Sequence, residues 1–136
     1  MNSIDLNQSL AELTIELCNV ESVSGNEKQL ADLVEKALKL PHLEVIREGN
    51  AVIAKTNLGR DKRIILAGHI DTVPIAENLP AKLMHFEREQ VVWGRGSVDM
   101  KGGIAVFLKL AASLDSPKYD LTWIFYDQEE VESEKN

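Results

Sequence analysis

Two short apolar runs, "RIILAG" at 63–68 and "LTWIFYD" at 121–127, most restrict what this chain can fold into. Each is short, rich in β-branched or aromatic residues, and stops abruptly at polar positions, which predicts a strand. "RIILAG", being almost wholly apolar, reads as a strand buried on both faces. Helical stretches are at hand to cover such strands. Leu6, Leu10, Leu13 and Leu17 recur at helical spacing and predict a first helix over roughly residues 6–19. "SVSGNE" breaks it, and Ser24 with Glu27 is a capping-box pattern that opens a second helix. There Leu30, Leu33, Val34, Ala37 and Leu38 form one apolar stripe, closed by Pro41. "MKGGIAVFLKLAASL" is apolar on nearly all sides and reads as a buried third helix.

"LEVIRE" and "AVIAKT" flank "GN", a hairpin turn in which Gly49 and Asn50 tolerate positive φ. "LMHFEREQVVW" predicts two further short strands around a charged turn, and 69–82 and "GRGSVD" read as loops. Helices and strands in this order predict one α/β unit with a mixed, mostly parallel sheet covered by helices on both faces.

The net charge of −7, with no Lys/Arg cluster, argues against a nucleic-acid partner. "GGIAVFLKLAASL" is interrupted by Lys109 and too short to span a bilayer, and the N-terminus lacks the pattern of a secretory signal. The single cysteine, Cys18, cannot form an internal disulfide, which fits a cytoplasmic location, and it reads as a buried helix residue.

Chemistry-bearing side chains cluster just beyond element ends. His69 and Asp71 follow "RIILAG", Asp99 closes "GRGSVD" before a helix, and Glu129 and Glu130 follow "LTWIFYD". In open α/β sheets ligands gather beyond the carboxyl ends of strands, and parallel alignment of the two runs would bring His69 and the glutamates to one rim. Taken singly, each has a plainer reading: His69 a hydrogen-bonded structural histidine, Asp99 a helix N-cap, the glutamate pair a solvated turn. His42 and His85 lack a partner acid at useful spacing and read as structural. Gly94, Gly96, Gly102 and Gly103 lack the rest of a phosphate loop. Taken together, imidazole and carboxylates form a donor set for Zn²⁺ or a similar first-row metal.

"GHIDTVP", "WGRGSVDMKGG" and "YDQEE", in this order and spacing, resemble the M20 family of dinuclear zinc amidohydrolases and exopeptidases. Within it, "GNAVIAKT" and "GHIDTVPIAENLP" look most like the actinobacterial sub-family that removes succinyl from N-succinyl-LL-diaminopimelate, a step serving lysine and cell-wall synthesis. The resemblance implies two Zn²⁺ ions (Co²⁺ can substitute), an N-acyl amino acid as small-molecule substrate, and a homodimer at full length. It makes His69 a metal ligand, Asp71 the carboxylate that orients it, and Asp99 the bridge between metals, followed by a cis peptide to Met100. Glu129 becomes the general base and Glu130 a ligand of the second metal. Acetylornithine deacetylase, aminoacylase or dipeptidase activity, or a non-catalytic remnant, are the alternatives.

Family members run to more than twice this length. The remaining ligands and the smaller lid domain have no counterpart here, so residues 1–136 are expected to be the N-terminal part of a catalytic domain. Alone, that part is expected to be inactive, to bind metal weakly, and to expose an edge at its last strand.

Overall fold

The computed structural model describes residues 2–132 and Glu134. The charged end "EEVESEKN" singled out in the sequence therefore lies partly outside the described residues. Two helices, α1 (Leu10–Asn19) and α2 (Lys28–Ala37), precede a hairpin of β1 (Glu44–Glu48) and β2 (Ala51–Lys55) and then β3 (Arg63–His69). A second hairpin, β4 (Lys82–Phe86) and β5 (Glu89–Trp93), leads to α3 (Gly102–Ser113) and β6 (Asp120–Tyr126).

Helix α1 begins at Leu10 rather than near residue 6, because a capping box closes its start. Ser9 Oγ accepts from the Glu12 N–H, and the Glu12 carboxylate accepts from the Ser9 N–H. The residues ahead of it are tied down instead by Lys109, whose Nζ donates to the Leu6 and Gln8 carbonyls. The box expected from Ser24 and Glu27 does not form. Glu27 precedes α2 without making a side-chain cap. Both side chains turn to distant partners, described below.

The main sheet has strand order β1-β2-β6-β3. It is mixed, as expected, but not mostly parallel: β1–β2 and β2–β6 are antiparallel, and only β3–β6 is parallel. The GN turn makes the predicted hairpin, with Gly49 at φ 58. Register places Val52, Ala54, Trp123 and Phe125 on one face, where they are wholly buried. Leu13, Leu17, Leu30, Val34, Ile104 and Leu108 from the three helices complete that core.

The three helices pack on this one face rather than on both. Phe107 of α3 meets Phe125 edge-on, and Arg47, which faces the same way as Val52, pairs with Asp32 and Glu35 of α2. On the opposite face Ile53 and Ile124 are half-buried and Ile65 is 62% exposed. "RIILAG" is thus not buried on both faces. An apolar run reads the same whether its strand is flanked on two sides or one, and β3 is an edge. The centrally placed strand is β6, between β2 and β3, so the exposed edge expected at the last strand falls at β3. Helix α3 likewise buries one side, through Ile104, Ala105, Leu108 and Ala111, and leaves Val106 exposed.

Strands β4 and β5 pair only with each other, as a separate ribbon. His42 hydrogen-bonds to the Ala111 carbonyl, as a structural histidine does, whereas His85 is exposed on the ribbon. Cys18 is buried, and burial pushes its thiol pKa up. No helix is long and apolar enough to cross a membrane among the described residues.

Candidate metal centre

Parallel pairing aligns His69 with Tyr126, so β3 and β6 end on the same rim. The ladder runs one step further, with the Ile70 N–H donating to the Tyr126 carbonyl. Beyond it both strands release polar residues, Asp71 and Thr72 after β3 and 127–130 after β6. The loop after β5 arrives beside them. Gly96 at φ 85 turns it, and an added Cβ there would come within 2.8 Å of Thr72 Cγ2, so only glycine fits both demands. Lys101, almost wholly buried, donates from Nζ to the Val20 carbonyl at the end of α1 and pins the loop. Burial lowers its pKa to about 8. Asp99 and Met100 interrupt helical backbone between Ser97 and Lys101, Asp99 being extended at φ −129 and ψ 97, and the Asp99–Met100 peptide is cis, as the resemblance implied.

His69 Nε2 lies 2.9 Å from Asp99 Oδ1 and 4.0 Å from Glu130 Oε1. One donor atom from each of the three falls within 4.8 Å of the others. The imidazole is nearly buried, while the Asp99 side chain is 71% exposed, so the trio opens outward. On the far side of the ring, Nδ1 is 3.0 Å from the Asp71 backbone carbonyl and 3.3 Å from its carboxylate Oδ1. An Nδ1–H donating to Asp71 leaves the Nε2 lone pair for a metal.

The Asp71 carboxylate does more than face the histidine. Its Oδ1 accepts the Glu129 N–H at 3.0 Å, and its Oδ2 accepts the Glu130 N–H at 2.9 Å and the Ser24 hydroxyl. Ser24 therefore belongs to the frame of the site. The sequence pattern drew attention to it, but as a helix cap. Loop 22–24 is stitched alongside 70–72, with the Thr72 N–H to the Ser22 carbonyl and the Ser24 N–H to the Thr72 carbonyl. Glu129 is exposed, outside the trio, and hydrogen-bonded with Tyr126.

Charge at this rim is unbalanced. Burial opposes protonation of His69, but hydrogen bonds to Asp99 and the Asp71 carbonyl and the nearby carboxylates raise its pKa above 6.5. Burial also works against ionised Asp71, yet the Ser24 hydroxyl and the two backbone N–H groups hold its pKa below 3.8. Glu130 is raised above 4.5 by burial and by the charge of Asp99. An imidazole with its second nitrogen engaged, converging with two carboxylates of which one is reluctant to ionise, fits a divalent first-row cation. An open cavity of about 320 Å³ adjoins it, bordered by Val73, Arg95 and Val98. A larger groove of about 530 Å³ beside Leu10 and α3 has no acid or imidazole in its lining and offers no comparable chemistry.

The fold and the rim together define an α/β domain in which three side chains that could hold a metal ion meet at the carboxyl ends of parallel strands. The chain belongs to peptidase family M20/M25/M40, whose profile matches residues 65–135. It is 49% identical over 135 residues to the putative succinyl-diaminopimelate desuccinylase DapE of Mycobacterium tuberculosis, a match covering 98% of this chain and 37% of that protein. It is 48% identical over 130 residues to the succinyl-diaminopimelate desuccinylase of Corynebacterium glutamicum, covering 91% and 34%. Among solved structures, the Bacillus subtilis YXEP protein, described as a dinuclear metal-binding peptidase of family M20, superposes at a TM-score of 0.59 with 19% identity, covering 90% and 35%. The chain thus spans little more than a third of the length of the curated relatives it matches.

Proposed function

We propose that this chain is the N-terminal part of the catalytic domain of a metal-dependent amidohydrolase that removes the succinyl group from N-succinyl-LL-diaminopimelate. The observation that carries the reading is the convergence of His69, Asp99 and Glu130 at one rim, with Glu129 next to Glu130 in the chain. The substrate reading is supported by the likeness, 49% and 48% identical, to two proteins named as desuccinylases, one of them putative. His69, Asp99 and Glu130 would hold the metal, which in the full-length enzyme would be two zinc ions, with Co²⁺ as a substitute and Asp99 as a ligand shared by both. Bound metal supplies Lewis-acid polarisation of the amide carbonyl and favours ionisation of water. Asp71 keeps the His69 ring in register through Nδ1 and presents the glutamate pair through their backbone N–H groups. Glu129 takes the proton of the attacking water and returns it to the leaving amine, giving succinate and LL-diaminopimelate.

Substrate selection, the remaining ligands and homodimer formation are assigned to sequence beyond the part matched here, in a cytoplasmic enzyme with no membrane or nucleic-acid partner. The chain by itself is then expected to bind Co²⁺ or Zn²⁺ weakly and to turn over little substrate. The test is metal titration of purified 1–136, read by the visible spectrum of Co²⁺ and by elemental analysis, with Asp99→Ala alongside. Metal bound by the wild type and lost in Asp99→Ala supports the reading. Equal binding by both removes the metal centre, and turnover at a rate near that of a full-length relative removes the assignment of catalysis to further sequence.

A further inference from the structure

Glu27 is 0% exposed, yet it is an acid with no cation beside it among the described residues. Its Oε1 accepts the Gly25 N–H at 2.9 Å and the Gln128 N–H at 3.3 Å, while Oε2 is buried without a hydrogen-bond partner among the described residues. A carboxylate oxygen left so is costly, and a side chain serving the core alone would be better replaced by an apolar one. Its contacts suggest what is gained instead. Gly25 follows Ser24, which donates to Asp71. Gln128 precedes Glu129 and Glu130, whose N–H groups also go to Asp71. Three successive backbone N–H groups, 128 to 130, are therefore held by two buried carboxylates. Gln128 sits at φ 59, a left-handed conformation unusual for a residue other than glycine. A turn of that shape persists only when its surroundings over-determine it.

We propose that Glu27 is a positioning residue, a second clamp opposite Asp71. It fixes the 128–130 turn and so sets the reach of Glu130 to His69 and Asp99 and the aim of Glu129. The inference rests on the metal-centre reading for its purpose, not for its geometry. It explains why the Ser24–Glu27 pair forgoes the local capping box: both side chains serve the rim.

The experiment compares Glu27→Ala, which removes the clamp, with Glu27→Gln, which keeps an oxygen acceptor at the same reach. Amide hydrogen exchange is followed in metal-free 1–136, and Co²⁺ affinity by titration. In Glu27→Ala, exchange at Gln128, Glu129 and Glu130 is expected to rise about tenfold or more, with β3 and β6 amides within about twofold of wild type. Co²⁺ binding is expected to weaken about tenfold or more in Glu27→Ala and to stay within about threefold in Glu27→Gln. Unchanged exchange at 128–130 overturns the proposal. So does an equal rise throughout β3 and β6, which marks a stability role alone, or a Glu27→Gln protein indistinguishable from Glu27→Ala. If Glu27→Ala does not fold, Glu27→Asp, one methylene too short to span both N–H groups, is judged by the same criteria. If wild type binds no Co²⁺, the metal-centre reading fails on its own, and the exchange results still decide the clamp.

Discussion

The two ends of the β3–β6 pair are each closed by a buried aspartate that gathers backbone N–H groups, and they differ in what lies next to it. At the start of β6, Asp120 Oδ1 accepts from the Thr56 hydroxyl at 2.7 Å and the Leu58 N–H at 2.8 Å. Its Oδ2 accepts the Arg60 N–H at 2.9 Å, and the Arg63 guanidinium stands 3.8 Å away. The Leu58 N–H, with the Thr56 hydroxyl, the Arg60 N–H and the Arg63 charge, holds its pKa at about 2. At the other end Asp71 is held in the same manner, but the groups beyond it are more acids around one imidazole. One end is neutralised by the chain itself. The other carries negative charge that a proton or an added cation must balance. The same local device makes a structural lock in the first case and the frame of a binding site in the second.

The comparison is most readily broken by exchanging what each aspartate is asked to do. Asp71→Ala is expected to weaken Co²⁺ binding by roughly 10–100-fold, because it frees both the His69 ring and the glutamate turn. Asp120→Ala should leave that affinity unchanged and instead lower the melting temperature at pH 7 by roughly 5 °C or more. Comparable metal losses in the two proteins would show that the ends are not independent.

Acid sharpens the contrast. The folded pKa of Asp120, about 2, lies below its ordinary 3.8, so its contribution is fully present above 3.8 and is lost as pH falls through about 2. The gap in melting temperature between wild type and Asp120→Ala should therefore close between pH 4 and pH 2 in a calorimetric series. Glu130 has the opposite sign. Its folded pKa is raised, so its stabilising form is the protonated one, present below 4.5 and lost as pH rises. Metal-free Glu130→Gln is accordingly expected to melt no lower than wild type at pH 7, by a margin of about 1–2 °C at most. A clear drop would mean that the carboxylate is held as firmly as Asp120. Ser24→Ala removes one of three donors to Asp71 and should cost about 1 kcal/mol of stability by denaturant titration.

Much of this arrangement could be read before any coordinates. The GN hairpin, the β4–β5 ribbon and the strand at 120–126 follow from alternation and turn chemistry, which act within a few residues. A general rule for strand ends brings His69 and the Glu129–Glu130 pair to one rim, while Asp99 and the choice of Glu130 as ligand rest on the family resemblance. What escaped notice depends on partners far along the chain. "SLAE" at 9–12 and "SGNE" at 24–27 carry the same Ser-x-x-Glu pattern, yet only the first forms a capping box. The second finds Asp71 and Gln128 within reach, and those distant acceptors and donors override the local choice. Burial of "RIILAG" was overestimated for a related reason: an apolar run does not say how many strands flank it. Helix cover on one face, rather than two, likewise depends on how whole elements pack.

The separate β4–β5 ribbon has a spectroscopic consequence. The chain has two tryptophans, and the fold puts one in each environment: Trp123 wholly buried in the sheet core, Trp93 partly exposed on the ribbon beneath the Lys82 ammonium at 4.9 Å. Emission from Trp123 should be blue-shifted and shielded from iodide, and that from Trp93 should be red-shifted and open to it. Single Trp→Phe variants would then report independently on ribbon detachment and on loss of the core, letting the order of events in unfolding be read from light alone.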